Sequence, residues 1–231
     1  MATSGTQASK GLLLHPCDSS IHIGTSSLSR ELSPQITTSF SAFATITMTI
    51  SSDLSLKARY QRAASFEEFL DSATTHTELW RAMAARADVP ADVVRDVESL
   101  GRHWHLLVLV EDWCGDAINT LPVLAALAKR ATNIDLRILS SEMNADLMDA
   151  HLTGTARSVP IVMLLDAHYI ERAWWGPRPA PLQGWVIRAG RALTREDRYR
   201  EVRRWYARDR GTTTLAELVA VLRAAGATRA A

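Results

Sequence analysis

The clearest apolar pattern in the chain is the five-residue run from Leu106 to Val110, which polar residues follow directly. The run is too short for a buried helix and consists only of leucine and valine, so it predicts a buried β-strand. A polar turn covers Glu111–Gly115, and apolar residues then recur with a helical period. The stretch 105–122 therefore predicts a strand, a tight turn and the start of a helix.

The spacing of apolar residues after this turn predicts a mixed α/β core. A second short strand after the helix makes a βαβ unit, which requires a right-handed crossover and parallel strands. Two later runs flank a three-residue turn and predict an antiparallel hairpin. In order, we predict a strand at 104–111, a helix at 115–131, a strand at 134–139, a helix at 144–151, hairpin strands at 161–165 and 169–174, and helices at 195–210 and 213–225.

Helical spacing also dominates the segment before this core. Ser65 and Glu68 have the spacing of a capping box, and a second helix is predicted at 77–86. Pro90 is suited to open a third helix. We expect residues 51–102 to be a helical extension packed on the core and residues 103–226 to be the core with its C-terminal helices.

The first 50 residues differ from the rest of the chain. They are rich in Ser and Thr, nearly free of charge and without a sustained apolar period, so they bury too little surface to offset ordering entropy. We therefore predict a disordered tail at 1–50. A transit peptide and a start at Met48 are alternative interpretations.

Composition narrows the function classes. The hydrophobic fraction is 47% and the charged fraction is 22%, which is typical of a globular protein. The net charge of +1 gives no reason to expect nucleic acid or an anionic membrane as a partner. The two cysteines, Cys17 and Cys114, cannot form a disulfide framework, which favours a reducing, cytoplasmic setting.

Cys114 is the candidate reactive residue because it lies at the junction between a strand and a helix. Free N–H groups at a helix N-terminus stabilise an anion, and this lowers the pKa of a cysteine thiol. The carboxylates of Glu111, Asp112 and Asp116 oppose that effect. We expect a mildly lowered or near-normal pKa; the alternative is a small buried residue with no reactivity.

At these residues the chain resembles the thioredoxin superfamily. Trp113-Cys114-Gly115 matches the first half of the Trp-Cys-Gly-Pro-Cys motif, and 111–116 is closer to a bacterial branch with Glu-x-Trp-Cys-Gly-Asp. Leu121-Pro122 and the segment Trp175–Pro179 also match that branch. The resemblance spans about 65–211 and implies a thioredoxin-like three-layer sandwich, with a central mixed sheet flanked by helices and an N-terminal helical extension.

The resemblance also implies roles for individual residues. Cys114 would be the nucleophile, and the Pro160 peptide bond would be cis and lie against it. The Val159 backbone would pair with an extended substrate by β-augmentation. Without the resemblance, Pro160 reads as a trans proline at the start of a strand. Supporting residues are Trp113, Gly115, Asp116, Val159 and Pro160.

Two departures from the thioredoxin pattern bear on activity. Ala117 replaces the second cysteine, so a mixed disulfide at Cys114 cannot be resolved within the motif. Val108 replaces a buried carboxylate. The sequence therefore leaves two functions open: monothiol thiol-disulfide chemistry on a protein or low-molecular-weight disulfide, resolved by glutathione, another thiol or Cys17, or a non-catalytic binding module. No other cofactor is expected.

The remaining candidate residues carry weaker signals. Trp175 and Arg178 lie in a Gly- and Pro-containing turn; Arg178 would place positive charge near the thiolate, or the segment would only pack the hairpin end. Glu111 would contribute to the electrostatics of the sulfur. His103 and His105 would share a face of the first strand, but no third ligand follows at a clear spacing, so no metal is expected.

Overall fold

Residues 55–227 are described by a computed structural model, and a four-stranded mixed sheet lies at their centre. Strand β1 is Trp104–Val110, β2 is Ile134–Ser140, β3 is Ile161–Leu165 and β4 is Glu171–Trp175, in the spatial order β2-β1-β3-β4. β1 is parallel to β2 and antiparallel to β3, which pairs antiparallel with β4. The predicted βαβ unit and hairpin are confirmed.

Nine α-helices flank the sheet in the described part of the chain. They are α1 (Leu56–Arg62), α2 (Phe66–Ser72), α3 (Thr77–Arg86), α4 (Ala91–Glu98), α5 (Gly115–Arg130), α6 (Ala145–Ala150), α7 (Ala180–Arg188), α8 (Arg195–Asp209) and α9 (Thr212–Ala227). The sequence pattern did not predict α7, because Pro181 and Gly184 resemble turn residues. Proline is tolerated in the first helical turn, where its missing N–H would have no intrahelical partner.

One face of the sheet carries the larger core. The even-numbered residues of β1 point into it, and α3, α4, α5 and α9 cover it. Trp80 on α3 is fully buried here and meets Phe69 edge to face, with the ring centroids 5.0 Å apart. The opposite face packs Leu107 and Leu109 against Tyr60 of α1 and Met148 of α6, which completes a three-layer sandwich.

The helical extension is fastened to the core by backbone hydrogen bonds. Ala64 and Ile138 exchange N–H···O bonds of 2.9 and 2.8 Å, so the extension pairs with the outer edge of β2. The capping box is present: Glu68 N–H donates to Ser65 Oγ, and Ser65 N–H donates to the Glu68 carboxylate. In the described residues, no helix has both the length and the apolar character needed to span a bilayer. The predicted tail at 1–50, with Cys17, lies outside the described residues.

Candidate functional site

Cys114 lies at the carboxyl end of β1 and is the N-cap residue of α5. Its Sγ accepts a hydrogen bond from the Ala117 N–H at 3.5 Å and donates to the Val159 carbonyl oxygen at 3.2 Å. The Val159–Pro160 peptide bond is cis. The structure therefore confirms the cis proline and brings Cys114, Val159 and Pro160 together, although 45 residues separate Cys114 from Val159 in sequence.

The environment of the sulfur differs from the prediction. Cys114 is only 5% exposed and belongs to the larger apolar core. Burial raises the pKa of the Cys114 thiol to about 11, and the Asp116 charge adds to this, while the Ala117 N–H and Arg178 oppose it. The expectation of a lowered or near-normal pKa was wrong, because desolvation of the thiolate outweighs the helix N-terminus.

Asp116 is held in a closed set of polar contacts. Its Oδ2 accepts hydrogen bonds from Arg178 Nε at 3.1 Å and Nη2 at 2.5 Å, and its Oδ1 accepts one from Tyr206 Oη at 2.8 Å. Arg178 also donates to Gln183 Oε1 at 2.9 Å. The side chains of Asp116 and Arg178 are 12% and 21% exposed, so the charge of each is largely neutralised by the other.

The other two acidic residues of the turn are directed away from the sulfur. Glu111 Oε1 accepts hydrogen bonds from Ser140 Oγ, Ser141 Oγ and the Glu142 N–H at 2.8–2.9 Å, which ties the turn to the end of β2. Asp112 binds the extension instead. Neither carboxylate contributes to the raised pKa of the cysteine, so the predicted opposition comes from Asp116 alone.

Asp112 connects the motif turn to the helical extension. Its Oδ2 accepts hydrogen bonds from the N–H groups of Thr74 and Thr75 at 2.8 and 2.9 Å. Its backbone carbonyl accepts the indole N–H of Trp80 at 2.8 Å. Burial works against the charged form, but the bonds from Thr75 and Thr74 hold the pKa of Asp112 below its usual value. The extension therefore buttresses the Cys114 turn.

Gly176 allows the segment after β4 to approach the cis proline closely. Its φ is +140°, and a Cβ built there would lie 2.2 Å from the Pro160 carbonyl oxygen. The preceding Trp175 is buried, and its indole N–H donates to Glu217 Oε2 at 2.8 Å. The contacts of Trp175 are therefore packing contacts at the end of the hairpin. Arg178 instead contacts the motif through its hydrogen bonds to Asp116.

The remaining positions of the motif are either exposed or fully buried. The Trp113 side chain is 55% exposed. A Cβ at Gly115 would meet open space. Ala117 and Val108 are fully buried, so the positions of the missing cysteine and the missing carboxylate are occupied by apolar packing.

Two polar groupings were not found from the sequence. Tyr206, 90 residues beyond Asp116, reaches its carboxylate from α8, and no spacing pattern links them. At the opposite end of the sheet, Asp135 of β2 lies beside His103 and His105, and the ligand atoms of the three residues lie within 4.8 Å of one another. The sequence spacing gave no third ligand for His103 and His105. In the structure this ligand is Asp135 of the neighbouring strand, which pairs with His105 in register.

A mixed four-stranded sheet between helices, with one thiol at a strand–helix junction facing a cis proline, defines the thioredoxin-like class of α/β proteins. A thioredoxin family model matches residues 63–200, more than half of the chain. The chain therefore belongs to the thioredoxin family.

Solved structures agree with this fold. A protein of unknown function from Pseudomonas aeruginosa is 19% identical with a TM-score of 0.60, and 74% of this chain and 98% of that chain are covered. An HIV epitope-scaffold is 17% identical with a TM-score of 0.59 and the same coverage. At these identities the likeness shows the fold alone. No curated protein matches the chain.

Proposed function

We propose that this protein is a non-catalytic thioredoxin-fold binding module, which recognises a polypeptide at the surface beside Cys114 and Pro160. The observation that carries the proposal is the buried Cys114 thiol, which is 5% exposed and hydrogen-bonded to the Val159 carbonyl. The motif also lacks a resolving cysteine, since Ala117 occupies that position. A thiol in this state is suited to packing the site and poorly suited to turnover.

The magnitude of the pKa shift supports this choice. With a pKa of about 11, only about one thiol in ten thousand is ionised at pH 7, against about 1% for a thiol of pKa 9.0. The higher intrinsic nucleophilicity of a more basic thiolate recovers up to about tenfold of this roughly 100-fold deficit. Exchange would therefore be slower than for a free thiol by about one order of magnitude, even before burial of the sulfur is considered.

The binding surface would combine an exposed aromatic side chain with extended backbone. Trp113 offers a large amphipathic surface, and such residues are enriched where proteins bind partners. The partly buried Val159 precedes the cis proline, where the family resemblance implies pairing with an extended strand.

The proposal has three further parts. They are a protein partner, a cytoplasmic setting, and membership of the bacterial branch that carries the Trp-Cys-Gly-Asp motif.

Monothiol thiol-disulfide exchange is the second candidate, and one contact of the sulfur supports it. Sγ accepts the Ala117 N–H at the start of α5, which is a contact that also stabilises a thiolate. In this alternative Cys114 attacks a disulfide, one partner sulfur leaves as a thiolate, and glutathione or another thiol resolves the mixed disulfide. It requires partner binding to open the packing around the sulfur.

One experiment separates the two functions. Purified Cys17→Ser protein is incubated with oxidised glutathione, and adducts at Cys114 are followed by mass spectrometry, with the unfolded protein as the reference thiol. We expect the folded protein to form the adduct at least about tenfold more slowly than the unfolded one. A folded protein that reacts as fast or faster would overturn the binding-module proposal in favour of monothiol chemistry.

A second comparison tests the role of the missing cysteine. Cys114→Ser should keep partner capture, while Ala117→Cys should restore a Cys-x-x-Cys motif and give measurable disulfide reductase activity with an insulin substrate. Cys114→Ser/Ala117→Cys is the matched control, because it adds the same thiol without its partner. If Cys114→Ser abolishes capture of a partner that the unaltered protein binds, the sulfur itself is required.

A further inference from the structure

The second cluster of chemically competent side chains lies at the amino end of the parallel pair β1 and β2. Cys114 follows the carboxyl end of β1, so the length of a seven-residue strand, about 20 Å, separates the two places. His103 Nε2 lies 2.7 Å from Asp135 Oδ2, and His105 Nδ1 lies 3.6 Å from the same oxygen. All three ligand atoms lie within 4.8 Å of one another.

Two buried polar atoms, one in this cluster and one beside it, lack a hydrogen-bond partner among the described residues. His105 is 9% exposed, and its Nδ1 makes no hydrogen bond there. Tyr60 is 6% exposed, its Oη is likewise unpartnered, and its ring centroid lies 4.9 Å from that of His105. Buried polar groups without partners are rare and costly, so this pair of atoms needs an explanation.

We propose that His103, His105 and Asp135 bind a divalent transition-metal cation, with Zn²⁺ as the representative ion. Ligand atoms in a tetrahedral zinc site lie about 3.3 Å apart, as follows from Zn–N and Zn–O distances of about 2.0–2.2 Å. The observed separations of 2.7, 3.6 and at most 4.8 Å bracket that value. Small side-chain rotations would bring all three atoms onto one ion.

The ligand set decides the class of ion. Two imidazole nitrogens and one carboxylate oxygen suit zinc, iron, cobalt, nickel or copper, whereas Mg²⁺ and Ca²⁺ prefer oxygen ligands only. Three protein ligands leave at least one coordination position for water or another donor. The buried Tyr60 ring lies 4.9 Å from the His105 ring, and its hydroxyl makes no hydrogen bond among the described residues.

The surrounding residues hold the histidines in place for binding. The His105 ring stacks on the Tyr169 ring, with an interplanar angle of 1° and ring centroids 4.3 Å apart. The His103 ring centroid lies 4.8 Å from the His105 ring centroid. Asp135 pairs with His105 in the parallel register of β1 and β2, so the backbone fixes their separation. A simple ion pair between His103 and Asp135 would explain two of the three residues but would leave the His105 Nδ1 atom, 3.6 Å from Asp135 Oδ2, without a hydrogen bond.

The test uses the full chain after removal of bound metal with a chelator. Co²⁺ is added as a spectroscopic probe, the d–d absorption of a four- or five-coordinate site is followed, and Zn²⁺ is then added to displace it. We expect stoichiometric binding that is weakened at least about tenfold by His103→Ala and by Asp135→Asn. Both side chains are partly exposed, at 39% and 58%, so both variants should fold.

His168→Ala is the matched control, because His168 is an exposed histidine that does not belong to the cluster. It should bind Co²⁺ as the unaltered chain does. A triple variant, His15→Ala/Cys17→Ser/His22→Ala, tests whether the N-terminal segment supplies the ligands. Absence of d–d absorption, or binding that survives in both cluster variants and is lost in the triple variant, would overturn the proposal.

Discussion

The two ends of the β1–β2 pair carry different kinds of polar chemistry. At the carboxyl end, the motif residues are mutually satisfied: the thiol bonds Val159, and Asp116 is shared by Arg178 and Tyr206. At the amino end, the buried His105 Nδ1 makes no hydrogen bond within the described part of the chain. The end that bears the family motif is electrostatically closed, and the end without a motif is the one where we propose a metal ion.

This difference shows that a motif and a reactive site are separable. The backbone arrangement that thioredoxins use, with a helix N-terminus facing a cis proline, is retained at Cys114. The groups that would ionise the sulfur or resolve its adduct are replaced by the buried apolar residues Val108 and Ala117. Desolvation then dominates the electrostatics of the sulfur, because the Ala117 N–H and Arg178 offset only part of it.

The largest expected effect comes from the packing that closes the motif end. In Gly176→Ala the new Cβ would lie 2.2 Å from the Pro160 oxygen at a φ of +140° that alanine rarely adopts. We expect the free energy of unfolding to fall by about 3 kcal/mol or more. Urea denaturation followed by tryptophan fluorescence measures it.

Gly115→Ala is the matched control for this substitution, because its Cβ meets open space at the start of a helix. It should change the free energy of unfolding by less than about 1 kcal/mol, in the stabilising direction. Equal effects of the two substitutions would show that the contact with Pro160 does not close the site.

Asp116→Asn should have the next largest effect. It leaves Arg178, which is 21% exposed, without its carboxylate, and we expect a loss of about 2–3 kcal/mol after allowing for partial solvent screening. Because the Asp116 charge raises the pKa of Cys114, the same variant should lower that pKa. An alkylation midpoint that does not move to lower pH would contradict this electrostatic link.

The pH dependence of Cys114 provides a third test at the motif end. The pKa of the folded thiol is about 11, above the value of a free cysteine, so the thiol stabilises the fold below the unfolded pKa and loses that contribution as pH rises through the folded pKa. In a Cys17→Ser background we expect stability to fall by about 2 kcal/mol between pH 9 and pH 11. The readout is urea unfolding across that range.

Cys114→Ala in the same background should remove this part of the pH dependence, because alanine does not titrate. Iodoacetamide should likewise modify the folded unaltered thiol slowly below pH 9. Rapid alkylation of folded protein at pH 7 would show that the sulfur is accessible and ionised, contrary to the burial described here.

The smallest effect is expected at the amino end. Asp135→Asn makes the same carboxylate-to-amide change as Asp116→Asn, but the Asp135 side chain is 58% exposed and its pair with His103 is solvent-screened. Without added metal we expect the free energy of unfolding to change by less than about 1 kcal/mol. A loss equal to that of Asp116→Asn would mean that Asp135 is a buried structural partner.

Much of the fold could be predicted from local pattern. The buried run of β1, the cap at Ser65 and the hairpin around β3 and β4 all follow from periodicity and end signals, which depend on near neighbours in sequence. Helix α7 was missed for the same reason, since Pro181 and Gly184 are turn signals locally, and Pro181 is tolerated because it lies in the first turn of the helix.

The candidate site likewise has some features that local sequence predicts and others that it does not. Local sequence shows that a single cysteine follows a buried strand and begins a helix, and that no second cysteine is available in the motif. Long-range packing sets how deeply the sulfur is buried, which cation neutralises Asp116, and that Asp135 joins two histidines from the next strand. These properties depend on desolvation and on contacts between residues 32 to 90 positions apart, and local spacing does not encode them.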